Sequence, residues 1–164
     1  MIVIAGATGQ TSIGPKLPPG RYATMALSDP KKPTTVLIVE DEALIRLELS
    51  SRLAEMGLIV LVADDADEAI MLLETRPEIT VLFTDIRMAG SMDGVRLAHQ
   101  AVRRWPPIRI IVTSGLTPVD LATLPDGSLF LPKPYPPEDL AGALAQIIQA
   151  GRPHTTGGKL QAPA

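Results

Sequence analysis

Several side chains that could do chemistry follow short apolar runs of the chain. In chain order they are Glu40, Asp41 and Glu42 after "VLIV", Asp85 after "VLFT", Thr113 and Ser114 after "RIIV", and Lys133 with Pro134 after "LFLP". A single acidic residue at the end of a strand commonly does no more than cap the next turn. The chemistry therefore depends on whether these residues meet in the fold.

If they meet, their types are suited to phosphoryl chemistry. Carboxylates held close together repel one another, and a cation or a bound proton has to offset that repulsion. Oxygen ligands with some positions left to water favour Mg²⁺. Beside such an ion a carboxylate can attack a phosphoryl group, while a hydroxyl and an ammonium hold the other phosphoryl oxygens. Asp85, Thr113 and Lys133 fit these three roles.

The elements that must position these residues are strands and helices in alternation. Short apolar runs predict five buried strands, at "VLIV" (Val36), "LIVLVA" (Leu58), "VLF" (Val81), "IRIIVT" (Ile108) and "LFL" (Leu129). Helical patterns separate them, so the sequence predicts an α/β fold with a parallel sheet and helices on both faces. In such sheets the working site lies at the carboxyl ends of the strands.

The predicted helices differ in strength. The first has an apolar stripe and ends at Gly57, whereas the fourth, around Thr117 to Leu124, is short and weak. The stripe of the first helix consists of Leu44, Ile45, Leu49, Leu53 and Met56.

Composition excludes several classes of function. The 164 residues carry a formal net charge of -3, so nothing favours a nucleic-acid partner. There is no cysteine, which excludes disulfides and thiolate chemistry. No apolar run approaches the roughly 20 residues that span a bilayer, and no secretory leader is apparent. We expect a cytoplasmic protein without direct membrane or nucleic-acid contacts.

The chain divides into one domain and two tails. Residues 1–33 are rich in proline and glycine near their end and are predicted to be a disordered or cryptic extension. Residues 34–150 form the predicted domain, and residues 151–164 a flexible tail. The opening "IVIAGATGQTSIG" has Ser12 where a dinucleotide-binding loop needs its third glycine, so we discount nucleotide binding there.

The segments "VLIVEDE", "LFTDIRM", "MDG", "IIVTSG" and "LPKPY" resemble, in order and spacing, the signatures of the receiver domain of bacterial two-component response regulators. The resemblance covers about residues 34–150. It implies a flavodoxin-like, doubly wound sheet of five parallel strands in the order 2-1-3-4-5. It also implies that Asp85 is the phosphoacceptor, with Thr113 as the switch hydroxyl and Lys133 as the phosphate contact.

The same resemblance implies a Mg²⁺ site. Asp41 and Asp85 would bind the ion directly with the backbone carbonyl of Arg87, and Glu40 would act through water. The Lys133–Pro134 bond would be cis, and Phe130 occupies the position of a switch aromatic residue. Two departures from the family stand out: the loop after Asp85 is longer by a residue, and Phe130 lacks the hydroxyl of a switch tyrosine.

The resemblance further implies a stand-alone response regulator, a phosphoprotein of phosphorelay signal transduction. It would be phosphorylated by a histidine kinase or a histidine phosphotransfer protein and would signal to an unknown output protein near the fourth helix, fifth strand and last helix. It would not be an enzyme beyond Mg²⁺-dependent self-phosphorylation and autodephosphorylation. A phosphorylation-independent binding module, a phosphate sink for a shared kinase, and a homodimer remain open alternatives.

Overall fold

The computed structural model describes residues 33–115 and 118–150, so the predictions for residues 1–32 and 151–164 lie outside the described residues. Strands and helices alternate along the described part, with a single 3-10 turn between the last two strands. The elements are β1 (Thr35–Val39), α1 (Ala43–Glu55), β2 (Ile59–Ala63), α2 (Ala66–Thr75), β3 (Ile79–Asp85), α3 (Gly94–Arg104), β4 (Arg109–Ser114), the 3-10 turn (Leu121–Thr123), β5 (Leu129–Pro132) and α4 (Pro137–Gln149).

The five strands form one parallel sheet in the order β2-β1-β3-β4-β5. The predicted fold class and strand order are therefore confirmed. The strands are short and mostly apolar because helices cover both faces of the sheet, which leaves no solvent face for polar residues. Since all strands run in one direction, their carboxyl ends lie at the same edge, where the candidate residues were predicted to meet.

Two hydrophobic clusters fill the space between the sheet and its helices. One lies between the sheet and α1 and α4 and includes Leu53, Phe83 and Leu144. The other lies between the sheet and α2 and α3 and includes Leu82 and Leu97. Successive strand residues point to opposite faces, so alternate positions of each strand supply the two clusters.

The structure corrects the predicted apolar stripe of α1. Leu49 and Leu53 are buried as predicted, but Leu44 is 82% exposed. Ile45, Leu49 and Leu53 are spaced four apart and share the face that packs on the sheet. Leu44 lies one position from Ile45, about 100° around the helix, and its side chain is in solvent.

The predicted fourth helix, around Thr117 to Leu124, is also wrong in its described part. Only the 3-10 turn Leu121–Thr123 forms there, and Asp120 caps it by accepting a hydrogen bond from Ala122 N at 3.0 Å. Pro118 and Pro125 flank this short segment. Proline disfavours a helical conformation at the residue before it, so Pro125 limits how far a helix could extend beyond Thr123.

Within residues 33–115 and 118–150, no helix has the length and apolar character needed to cross a membrane.

Candidate phosphorylation site

Four of the predicted site residues lie on one face of the sheet at the carboxyl ends of its strands. Asp85 and Thr113 are register partners in the neighbouring strands β3 and β4. Glu40 directly follows β1, and Lys133 directly follows β5. Strand alternation places all four on the side of α1 and α4, because each lies two positions beyond a residue of that cluster: Ile38, Phe83, Ile111 and Leu131.

An ammonium group joins two buried carboxylates at this edge. Lys133 Nζ lies 2.7 Å from Glu40 Oε2 and 2.7 Å from Asp85 Oδ2. The side chain of Glu40 is 3% exposed, that of Asp85 11% and that of Lys133 17%. Two carboxylates thus share one cation, and the cluster carries one net negative charge when all three groups are ionised.

The pKa values reflect this environment. Burial raises the pKa of the Glu40 carboxyl above its ordinary value, and the bond from Lys133 opposes that rise only in part. Burial alone would lower the pKa of Lys133, but its hydrogen bonds to Asp85 and Glu40 outweigh burial and raise it. The ammonium therefore stays charged, and Glu40 is the carboxylate under the greater desolvation.

Backbone contacts hold Glu40 in place. Its Oε1 accepts a hydrogen bond from the N–H of Glu42 at 3.2 Å, and its carbonyl oxygen accepts one from the guanidinium of Arg46 on α1. Its own N–H donates to the carbonyl of Ala63 on β2 at 3.2 Å. The side chain of Glu42 is exposed. Glu42 therefore contributes its backbone rather than its carboxylate.

Asp85 is fixed by the chain that follows it. Its Oδ1 accepts a hydrogen bond from Arg87 N at 3.1 Å, while its Oδ2 contacts Lys133. The hydroxyl of Thr84, fully buried on the opposite face, donates to the carbonyl oxygen of Asp85 at 3.0 Å. Hydrogen bonds therefore hold both the side-chain carboxylate and the backbone carbonyl of Asp85.

The structure explains why position 94 is a glycine, which the sequence alone did not reveal. A Cβ at this position would lie 1.8 Å from the carbonyl oxygen of Asp85 and 2.9 Å from Thr84 Oγ1. Gly94 N donates to the carbonyl of Ile86 at 2.9 Å, so the first turn of α3 rests directly on the end of β3. The "MDG" segment drew attention to this glycine in the sequence, but only the structure shows that no side chain fits there.

Thr113 presents an unsatisfied hydroxyl. The residue is 1% exposed, and its Oγ1 has no hydrogen-bond partner within the described part of the chain. A buried hydroxyl without a partner is unusual and costs free energy. Beside Asp85, this atom is available to a ligand oxygen.

Phe130 lies on the other face of the sheet. It is half-buried and packs against the cluster under α2 and α3, away from the ionic cluster. Its role as a switch residue stays a prediction. The Lys133–Pro134 peptide bond is cis, as the resemblance implied.

Asp41 is not part of the buried cluster. It is exposed, and its Oδ2 accepts a hydrogen bond from Ala89 N, in the loop after β3, at 3.2 Å. Among the described residues, no group of three or more His, Cys, Asp or Glu side chains is arranged to hold a metal ion. The predicted convergence of carboxylates is therefore realised by Glu40 and Asp85, with Asp41 linked to the adjacent loop.

The donor set nevertheless suits a hard divalent cation. The residues are oxygen donors, and Glu40 and Asp85 have a single ammonium between them, so negative charge is left over at the edge of the sheet. Asp41 adds a further carboxylate beside the loop that carries Arg87. A divalent cation would offset this charge.

An open cleft of about 460 Å³ adjoins Lys133. It lies between α1 and the segment after β5, and Ile45, Leu49, Pro134 and Tyr135 contribute to its lining. Glu48 and Arg52 also line it, so the cleft beside Lys133 combines apolar and charged side chains.

The sequence model of the response regulator receiver domain family matches residues 36–145 of this chain. The chain belongs to this family. Receiver domains of two-component systems interact with kinases or phosphotransfer proteins and generally use Mg²⁺ at the phosphorylation site. The residues assembled above are thus those of a receiver domain, although their individual roles stay predictions.

Curated relatives are longer than the matched region. The chain is 34% identical over 123 residues to the hydrogenase transcriptional regulatory protein HoxA of Cupriavidus necator, covering 73% of this chain and 25% of that protein. It is 34% identical over 129 residues to the transcriptional regulatory protein PdtaR of Mycobacterium tuberculosis, covering 76% of this chain and 62% of that protein. The similarity to these relatives is therefore confined to part of their length.

Among solved structures, a response regulator receiver protein from Sinorhizobium medicae matches with a TM-score of 0.67 and 30% identity. The match covers 73% of this chain and 98% of that one. The receiver domain therefore accounts for nearly all of the solved relative and for most of this chain.

Proposed function

We propose that this receiver domain accepts a phosphoryl group on Asp85 from a histidine kinase or a phosphotransfer protein, and that phosphorylation changes its contacts with an output protein. The observation that carries the proposal is the ammonium of Lys133, 2.7 Å from both Glu40 Oε2 and Asp85 Oδ2. A cation already bound to the acceptor carboxylate can also bind an incoming phosphoryl oxygen.

In the proposed reaction, a carboxylate oxygen of Asp85 attacks the phosphorus atom. A new P–O bond forms, and the bond from phosphorus to the donor's imidazole nitrogen breaks, its electron pair leaving with the nitrogen. Lys133 then holds a phosphoryl oxygen, and the unpartnered hydroxyl of Thr113 donates to another. The cleft beside Lys133, lined by apolar and charged side chains, is where the donor protein would contact the domain.

A divalent cation belongs to the same proposal. Asp41, Asp85 and the backbone carbonyl of Arg87 would hold Mg²⁺, with Glu40 acting through water. When bound, the ion neutralises the charge that otherwise keeps an anionic donor away from a carboxylate. The net negative charge of the buried cluster supports this assignment.

Intact mass measurement tests the proposal. The protein is incubated with acetyl phosphate and Mg²⁺, and the expected product carries one phosphoryl group. Neither Asp85→Asn nor the wild type with EDTA should form it, and circular dichroism should show that the variant is folded. A folded wild-type protein that gains no adduct and binds no beryllofluoride would contradict the proposal and favour a binding module that does not use phosphorylation.

A further inference from the structure

The loop between β3 and α3, residues 86–93, runs beside the proposed cation site with little of its surface buried. Arg87, Ala89, Gly90 and Ser91 are exposed. Met88 and Met92 are half-buried and pack against the cluster under α2 and α3. An exposed loop of this kind loses conformational entropy when it is ordered, so the contacts that hold it decide how well its backbone is positioned.

Two hydrogen bonds tie the exposed part of this loop to opposite neighbours. Ala89 N donates to Asp41 Oδ2 at 3.2 Å, on the side of β1. Ser91 Oγ donates to Asp67 Oδ1 at 2.7 Å, on the side of α2. Gly90 lies between them with φ +121°, a conformation that favours glycine. The loop therefore spans the distance from the proposed cation ligand to the first turn of α2.

The attachment point on α2 is itself well held. The side chain of Asp65 caps the helix by accepting a hydrogen bond from Glu68 N at 2.8 Å. The carboxylate of Glu68 accepts one in return from Asp64 N at 3.0 Å. This reciprocal pair resembles a capping box and fixes the turn that carries Asp67. Ser91 is thus bonded to a rigid support.

We propose that Ser91 and Asp67 are positioning residues for the cation site: their hydrogen bond keeps the loop ordered, so that Asp41 and the carbonyl of Arg87 are in place before Mg²⁺ binds. The inference rests on the proposed function. It gives the extra residue of this loop a purpose, because the loop that contacts Asp41 also reaches α2. Ser91 and Asp67 touch neither the phosphoryl group nor the ion and act through the backbone.

Titration of the full chain with Mg²⁺ in a calorimeter tests this inference without any phosphoryl transfer. Ser91→Ala and Asp67→Ala, each of which removes one partner of the bond, should each weaken Mg²⁺ binding about threefold to tenfold, the size of one lost hydrogen bond that orders ligands. The double variant should bind no more weakly than the weaker single variant, because both changes remove the same bond. Ser91→Thr keeps the hydroxyl and should bind Mg²⁺ like the wild type.

Matched controls separate this effect from loss of charge or of stability. Asp64→Ala removes an equal charge from an exposed carboxylate three positions away and keeps the backbone N–H that bonds Glu68, and Ser51→Ala removes an exposed serine of α1; both should leave the Mg²⁺ affinity unchanged. All variants should keep a single cooperative urea transition, with midpoints lowered by no more than the loss of about one hydrogen bond, so that weaker Mg²⁺ binding does not reflect unfolding. Wild-type affinity in Ser91→Ala would overturn the inference alone. Absence of Mg²⁺ binding by the wild type would overturn the cation site and the inference with it.

Discussion

Replacing Lys133 by methionine removes the cation that bonds the carboxylates of both Glu40 and Asp85, while keeping a long apolar side chain. Both carboxylates would stay in the interior without a positive partner. Removing one member of a buried ion pair costs about 3–5 kcal/mol, because the remaining charge is desolvated and uncompensated. We therefore expect a large fall in the free energy of unfolding at neutral pH.

The cost is limited by proton uptake at Glu40. Burial already raises the pKa of this carboxyl above its ordinary value of 4.5. At about 1.36 kcal/mol per pH unit, keeping Glu40 protonated at pH 7 costs about 3.4 kcal/mol, and at pH 5 only about 0.7 kcal/mol. The destabilisation by Lys133→Met should therefore be about 3 kcal/mol at pH 7 and below about 1 kcal/mol at pH 5.

The sign follows from proton linkage. A carboxyl whose pKa is raised in the folded state binds its proton more tightly there, so its contribution is fully favourable below pH 4.5 and is lost as the pH rises through the folded pKa. The relative stability of Lys133→Met should therefore improve on acidification. Adding Glu40→Gln removes the titrating group and should abolish most of this pH dependence.

Urea unfolding at several pH values, followed by circular dichroism, measures these differences against the wild type at each pH. A loss of stability that is equal at pH 5 and pH 7 would refute the assignment of Glu40 as the proton acceptor. A loss under about 0.5 kcal/mol at pH 7 would show that the ammonium does not compensate buried charge, since that is the range of an ordinary surface substitution.

Three further predictions use the same region and the same unfolding measurements. Gly94→Ala should lower the free energy of unfolding by about 2–3 kcal/mol, because its Cβ would overlap the carbonyl oxygen of Asp85. Gly142→Ala lies in an open part of α4 and should raise the free energy of unfolding by about 0.5–1 kcal/mol. Equal effects of the two variants would contradict this prediction. Thr113→Val should leave the free energy of unfolding unchanged or raise it, because the hydroxyl that it removes has no partner in the described part of the chain. The same variant should take up the phosphoryl group about tenfold more slowly, as measured by mass spectra recorded over time. A marked loss of stability would instead show that the hydroxyl has a partner. The raised pKa of Lys133 stabilises the folded protein below pH 10.5, and the wild type should lose this stability progressively as the pH rises through the folded pKa. The Lys133→Met variant has no ammonium to titrate, so its stability should not show this decrease.

The strands and most site residues could be predicted because their signals are local. Short apolar runs set the strands, and the rule that sites lie at their carboxyl ends selected Glu40, Asp85, Thr113 and Lys133. Strand alternation also separates these residues from Phe130, which falls in the opposite phase. The separation is readable from the sequence once the strand boundaries are known.

Other features depended on tertiary structure. The exposure of the Leu44 side chain could not be predicted from the positions of apolar residues in α1, because it depends on which face of α1 packs against the sheet. Pro125 marks the end of the segment around the 3-10 turn, but no local signal shows that a 3-10 turn replaces a helix there. The contacts of Gly94 and the bond between Ser91 and Asp67 join segments distant in sequence, and no local pattern predicts them.

The two margins of the sheet are closed to another strand by different means. β5, at one margin, has only four residues and ends in Pro132, which offers no N–H to an incoming strand. β2, at the other margin, reads "IVLVA" and has neither a charge nor a proline to discourage pairing, but its central residues Val60 and Leu61 are fully buried. The sheet therefore limits edge-to-edge association by sequence at one margin and by burial at the other.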